Sequence, residues 1–249
     1  MNEKWELPAA GPSQLAQRVE DMKARLGSLN PELLADRIGA VYAPVEEGAG
    51  IFTLVYWGRE VTLSYPEFVC IDAESGRELG LIDQAMLAYY LVTTDGTPLA
   101  GQWIAFSQLP DGTFYTQAFQ GYTGGELAKA FGDEVDRFAQ LGTAVAGNIP
   151  STDDAPGDKA LAFQVLPNVR LLASCWLGDE DFPTSYRILF DAAAGRHLTT
   201  DAYAIMGSML TKKIIKGSES RERGPGMSSP HSDRCAIGDQ GPAPPAWSG

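Results

Sequence analysis

The chain has 249 residues, 32 acidic against 19 basic side chains for a formal net charge of −13, and 44% hydrophobic and 20% charged residues. This is globular material long enough for one large or two small domains with a sizeable core, and its negative field repels nucleic-acid phosphates and anionic lipid head groups, so both are disfavoured as partners. No run of about 18 uninterrupted apolar residues reads as a membrane span, the start from Met1 to Trp5 lacks the apolar stretch of a secretory signal, and a cytoplasmic location is expected.

Ser13 to Leu26 sets Leu15, Val19, Met22 and Leu26 at helical spacing with charges between them, which predicts an amphipathic helix in an N-terminal extension, residues 1–29. Asn30-Pro31-Glu32 joins a capping side chain, a first-turn proline and an acid at the positive end of the helix dipole. A second, short helix should therefore end near Gly39. The β-branched and aromatic run Ile51 to Trp57, followed by Gly58, predicts a strand and a turn. Glu60 to Leu63 and Phe68 to Ile71 read as further short strands, interrupted at Pro66. Ile82 to Val92 then predicts a helix halted by Thr94-Asp95-Gly96 and Pro98.

Gln102 to Phe106, the turn Pro110-Asp111-Gly112, and Thr113 to Phe119 predict a β-hairpin, because Asp-Gly accommodates the positive φ of a tight reversal. Trp103, Phe106, Phe114, Tyr115 and Phe119 would alternate on its strands, either lining a pocket or packing a core. Helices are expected near Gly125 to Phe131 and from Glu134 to Val145, followed by an acidic connection, Ser151 to Gly157. Ala160 to Leu166, Val169 to Trp176 and Ser185 to Phe190 read as strands, and a last helix should run from about Asp201 to Ile215, capped by Thr200. Residues 217–249, rich in Gly, Pro and Ser, are expected to be a disordered tail, in which His231 and Cys235 read as idle residues. The expected architecture is one α+β domain over residues 30–216, a mostly antiparallel sheet with flanking helices.

Two segments hint at an internal duplication into hairpin-turn-helix halves. Asp72-Ala73-Glu74-Ser75-Gly76-Arg77-Glu78-Leu79 and Asp191-Ala192-Ala193-Ala194-Gly195-Arg196-His197-Leu198 share Asp, Ala, Gly, Arg and Leu in register. Each follows a predicted strand and precedes a predicted helix, with Trp57-Gly58 and Trp176-Leu177-Gly178 upstream. An Asx-turn in which the Asp accepts backbone N–H groups and pairs with the Arg explains the pattern without a ligand. The functional alternative is two pseudo-symmetric Asp/Arg sites, using Arg77 and Arg196, that grip a shared ligand.

Few residues carry a recognisable chemistry. Asp179, Glu180 and Asp181 place three carboxylates in one turn, either a solvated hairpin tip or a set of acid, base or cation ligands, without EF-hand spacing. His197 is an imidazole available to a general base near neutral pH, although a surface or turn histidine is the plainer reading. Gly121-Tyr122-Thr123-Gly124-Gly125-Glu126 enters a helix but lacks the Lys-Ser/Thr of a phosphate-binding loop and the G-x-G-x-x-G of a dinucleotide fold. Cys70, Cys175 and Cys235 are an odd, widely spaced set, which is not a disulfide framework, and with two histidines no metal site is expected.

The order Gly101-Gln102-Trp103, Phe106, Leu109-Pro110, Gly112, Phe119-Gln120-Gly121, then Trp176, Gly178-Asp179-Glu180-Asp181-Phe182-Pro183, Leu189-Phe190-Asp191, His197-Leu198 and Thr200-Asp201 resembles a family of domains of unknown function, DUF3786. The resemblance covers about Asn30 to Lys213. It implies a setting in anaerobic bacteria and archaea, in which some members are joined to or associated with iron-sulfur or corrinoid one-carbon proteins. This chain has no cysteine cluster of a fused iron-sulfur domain, so the resemblance implies that any such cofactor belongs to a partner. The family brings no catalytic residues.

The expected function is a non-catalytic accessory or binding protein for a small ligand or partner protein, with Trp103, Tyr115, Trp176, Arg77 and Arg196 as candidate ligand contacts. One alternative is an enzyme using Asp179, Glu180, Asp181, Asp191 and His197. Another is an interaction scaffold whose aromatic hairpin docks a partner.

Overall fold

Backbone pairing sorts the strands of this protein into two four-stranded antiparallel sheets, seen in a computed structural model that describes residues 12–145 and 155–222. The first sheet is a meander, β1 (Val41–Glu46), β2 (Ala49–Tyr56), β3 (Arg59–Tyr65) and β4 (Cys70–Asp72), in that spatial order. Phe52 faces Leu63 and Leu54 faces Val61 across its centre, all buried. The second sheet has the order β5-β8-β7-β6, built from β5 (Trp103–Ala105), β6 (Lys159–Leu166), β7 (Val169–Trp176) and β8 (Ser185–Asp191). Trp57, in the β2–β3 turn, donates its backbone N–H to the Val165 carbonyl of β6 at 2.9 Å and so joins one sheet to the other.

Helices α1 (Pro12–Leu26), α2 (Pro31–Ile38) and α3 (Leu81–Thr93) serve the first sheet. The helix expected as an N-terminal extension is part of the core: Leu15, Val19, Met22 and Leu26 are all buried, and α1 packs along α3. Asn30 caps α2 by accepting the Leu33 N–H at 3.1 Å, and Gly39 ends it in the left-handed region at φ 67°. Tyr56 reaches from β2 to Asp83 on α3, where its hydroxyl donates at 2.9 Å. Helices α4 (Thr116–Tyr122), α5 (Gly124–Phe131), α6 (Val135–Ala144) and α7 (Thr200–Glu222) serve the second sheet, with α5 on β8, α6 on β6, and α7 against both helices. Among the described residues no helix is long and apolar enough to cross a membrane.

Three expectations need correction. The hairpin over residues 102–119 does not form. Asp111 does take the positive φ, 60°, that its sequence signalled. However, β5 finds its partner in β8 and is closed after three residues, when the Gln108 side chain accepts the Ala105 N–H at 2.8 Å. The chain then winds through two 3-10 turns, Phe106–Gln108 and Gly112–Tyr115, into α4, with Thr113 and Thr116 hydroxyls bonding the carbonyls of Ser107 and Gly112. This route stacks Phe106 on Phe119, ring centroids 4.1 Å apart, which an extended pair would leave on distant rungs. Second, β1 was not expected, because Pro44 and exposed positions break its alternation. As an edge strand it needs one partner, and Tyr42 anchors it on Phe52 at 4.9 Å. Third, α7 continues past Gly217 to Glu222, so the tail proper, with His231 and Cys235, lies outside the described residues, as does most of the acidic connection before Gly157.

The two repeated turns occupy matching places: β4 leads through the Asp72 turn into α3, and β8 leads through the Asp191 turn into α7. The upstream tryptophans do not match. Trp57 lies in a two-residue turn, whereas Trp176 ends β7 ahead of an eight-residue loop.

Candidate functional site

Asp191 ends β8, opposite Trp103 of β5. It is buried, and its two carboxylate oxygens accept three main-chain N–H groups: Ala100 and Ala193 at 2.8 and 2.9 Å on Oδ1, and Gly101 at 2.8 Å on Oδ2. The aspartate thereby ties the loop after α3 to the end of the sheet. His197, expected at the surface or in a turn, lies in a turn but is fully buried, because the 3-10 turn Ala194–Arg196 folds it under the loop, where Nδ1 shares a 2.8 Å hydrogen bond with the Thr94 hydroxyl. Burial lowers its pKa below the ordinary imidazole value, with a smaller push from Arg196, against the opposing pull of Asp95, Asp191 and the Thr97 backbone.

The other acidic candidates sit elsewhere. Asp179, Glu180 and Asp181 occupy the exposed loop at the opposite end of β8, roughly 20 Å from Asp191 at about 3.3 Å per residue. Asp179 closes that loop on itself: Oδ1 accepts the N–H groups of Asp181 and Phe182 at 2.9 and 2.8 Å, and these bonds hold its carboxyl below the usual range. Thr184 bonds Gly178 on one side and Asp133 on the other, fixing the base of the loop to the start of α6. Asp191 and His197 thus meet at one corner, and the acidic triplet does not join them.

Neither repeated turn pairs its own Asp with its own Arg. Asp72 accepts the Ser75 N–H at 2.8 Å and the Ser75 hydroxyl at 2.9 Å, and its ionic partner is Arg59 of β3 at 2.9 Å; all three hold its carboxyl below the usual range. Arg77 contributes its backbone carbonyl to the Asp72 N–H, and its side chain is exposed. Arg196 pairs instead with Asp95 at 3.4 Å.

Among the aromatic candidates, Trp103 and Trp176 pack against one small apolar cluster, Ala160, Leu172 and Leu189, on the outer face of the second sheet, and Arg187 lies over Trp176 at 5.3 Å. Tyr115 is not in that cluster. It stands 60% exposed beside Phe114, which is 85% exposed. The free thiols Cys70 and Cys175 are buried, and burial pushes the Cys70 thiol up to about 12. Among the described residues no three of His, Cys, Asp or Glu are grouped to hold a metal.

A concave site lies where no candidate was placed. The β2–β3 turn, Trp57-Gly58-Arg59, faces Lys213 and Lys216 of α7 and the end of α6 across a pocket of about 450 Å³. The legible signal was Lys212-Lys213-Ile214-Ile215-Lys216, a basic stretch in a strongly acidic chain, but its distance in sequence from Trp57 hid the pairing.

Compared with known proteins, the chain matches the model of the family described as Domain of unknown function (DUF3786) over residues 30–213. No curated protein and no solved structure matches it. The matched span takes in α2, both sheets and α7 as far as Lys213, together with the residues from Gly101 to Asp201 that carried the resemblance, and this chain belongs to the DUF3786 family.

Proposed function

We propose that the protein is an accessory binding module of the cytoplasm, recognising a small ligand or a partner protein within anaerobic redox or corrinoid one-carbon chemistry, with any corrinoid or iron-sulfur centre carried by the partner. The use of Asp191 supports a binding role over a catalytic one. A carboxylate whose two oxygens accept three main-chain N–H groups is a brace of the fold, and removing a proton from a substrate would require it to give up those bonds. The strong negative charge makes a nucleic acid an unfavourable partner.

The test is an absorbance spectrum and metal analysis of protein purified without oxygen, with and without added hydroxocobalamin. A colourless, metal-free protein that leaves the cobalamin spectrum unchanged is the expected outcome. A stoichiometric metal, or a bound-corrinoid spectrum lost in His197→Ala, would replace this reading with an enzyme or cofactor-binding role for Asp191 and His197, with Asp179, Glu180 and Asp181 beyond them.

The exposure of Phe114 and Tyr115 favours a second reading, an interaction scaffold, since large aromatics left in water beside one another commonly mark a contact surface. Under that reading Phe114→Ala with Tyr115→Ala removes binding to a defined partner and leaves the melting temperature unchanged.

A further inference from the structure

Trp57 and Gly58 take φ values of 52° and 73°, the pair of positive angles of a tight hairpin turn. Asparagine and glycine suit the first of these positions, and a bulky aromatic does not. The surroundings hold it there. The Trp57 backbone N–H is bonded to Val165, its side chain is 7% exposed, and the indole N–H lies beside the Tyr56 hydroxyl without a well-formed hydrogen bond, that hydroxyl being turned to Asp83. A residue kept against local preference at the wall of a pocket points to a use for the pocket.

The electrostatics of that wall are opposite to those of the chain. Among the described residues Arg59, Lys213 and Lys216 line the pocket and no carboxylate does, whereas the protein as a whole carries −13. Lys213 is half-buried, with its ammonium 5.1 Å from the centre of the Trp57 ring. Burial lowers its pKa, and Arg59 and Lys216 lower it further, with Asp83 opposing. Arg59 holds Asp72 through Nη1 and carries further N–H donors. Beside these cations the wall is apolar, from Trp57 and Val145, and the volume of about 450 Å³ falls within the usual range for small-molecule sites, about 300–1,000 Å³.

We infer that this pocket binds a small amphiphilic oxyanion, whose acidic head is held by Lys213, Lys216 and Arg59 and whose apolar body lies against Trp57 and Val145. The inference rests on the reading of the chain as a binding module and names the class of its ligand. A carboxylate and a phosphate ester share the required chemistry: oxygens with negative charge to meet two ammonium groups and a guanidinium.

The test titrates the full chain with anilinonaphthalene sulfonate, an apolar body bearing one oxyanion, followed by dye and tryptophan fluorescence. Saturable one-to-one binding is expected, at least about tenfold weaker in Lys213→Met, which keeps an apolar stem over Trp57 and removes the charge. Uncharged phenylnaphthylamine should bind at least about tenfold more weakly than the sulfonate. Displacement by phenyl phosphate but not phenylacetate assigns a phosphate ester, and the reverse assigns a carboxylate.

If Lys213→Met does not fold, as judged by its melting curve, Lys216→Met at the exposed rim carries the comparison with the same expected direction. Equal dye affinity in wild type and a folded variant, equal affinity for the uncharged analogue, or no saturable binding would each overturn the inference. Those outcomes leave the wider binding-module reading to the cobalamin experiment, which does not involve this pocket.

Discussion

At the scale of single residues, Asp191 and His197 make opposite kinds of contribution. Asp191→Ala strands the buried Ala193 donor and removes the partner of two part-buried donors on the exposed residues Ala100 and Gly101. Losing the partner of a buried donor costs about 1–3 kcal/mol, and a loss in that range in urea denaturation is expected, with Asp191→Asn recovering part of it. His197 sets a pH dependence. Its folded pKa is lowered, so the unfolded chain binds the proton more readily. The neutral ring favours the fold above the unfolded value of about 6.5, and that contribution is lost as pH falls from there towards the folded value. The carboxyls of Asp72, Asp95 and Asp179 are also lowered, from 3.8, so their stabilisation is lost only as pH falls below that value. Between pH 7.5 and 5 the urea midpoint of the wild type should therefore fall relative to that of His197→Gln. Neither residue's position was fully legible. The Asp-Ala-x-x-Gly-Arg-x-Leu pattern announced two Asp-centred turns, and both exist. A pattern of local spacing carries no information on the loop around Ala100 that Asp191 grips, or on the fold that buries His197.

At the scale of elements, the loop between β7 and β8 is pinned by Asp179, whose carboxylate bonds two of its own amides. Asp179→Ala should speed hydrogen exchange at Asp181 and Phe182 and shift the melting temperature by no more than about 1 °C, because residues 177–183 of the loop are exposed. Strands β2 and β3 were legible because buried and exposed side chains largely alternate along them, β6, β7 and β8 because each is a short, mostly apolar run bounded by turn residues, and α2 was legible from Asn30 to Gly39 because its caps are written in the sequence. The failed hairpin had a different cause. The segment from Trp103 to Phe119 has the composition of strands, but its aromatics are buried by stacking Phe106 on Phe119 and by β5 borrowing the edge of β8. Long-range pairing decided its structure, and a turn signal at Asp111-Gly112 was equally compatible with the helical route.

At the scale of the whole molecule, the family span and the folding unit differ. The match begins at residue 30, yet α1 delivers Leu15, Val19, Met22 and Leu26 to the same core as α3 and the first sheet. Burying such side chains stabilises by about 1.5–3 kcal/mol each. Their sum approaches the whole stability of an ordinary domain, about 5–15 kcal/mol. A chain starting at residue 30 should therefore lose its cooperative thermal transition, whereas the full chain should keep it; calorimetry on the two distinguishes an appendage from a structural helix. The overall class, α+β with antiparallel strands, followed from periodicity. The division into two sheets did not, since it depends on which strands find each other across about 100 residues of chain.

The bond from the Trp57 amide to Val165 gives that division a reporter. An amide in a two-residue turn ordinarily exchanges with solvent almost at once, but this proton is shielded by a carbonyl belonging to the other sheet. It can be lost only when the sheets part, so its exchange rate is a direct count of how often the two halves of the molecule breathe open. Because the same residue walls the cationic pocket, an anion settling there should slow that breathing, and the amide would register occupancy even for a ligand with no colour or fluorescence of its own.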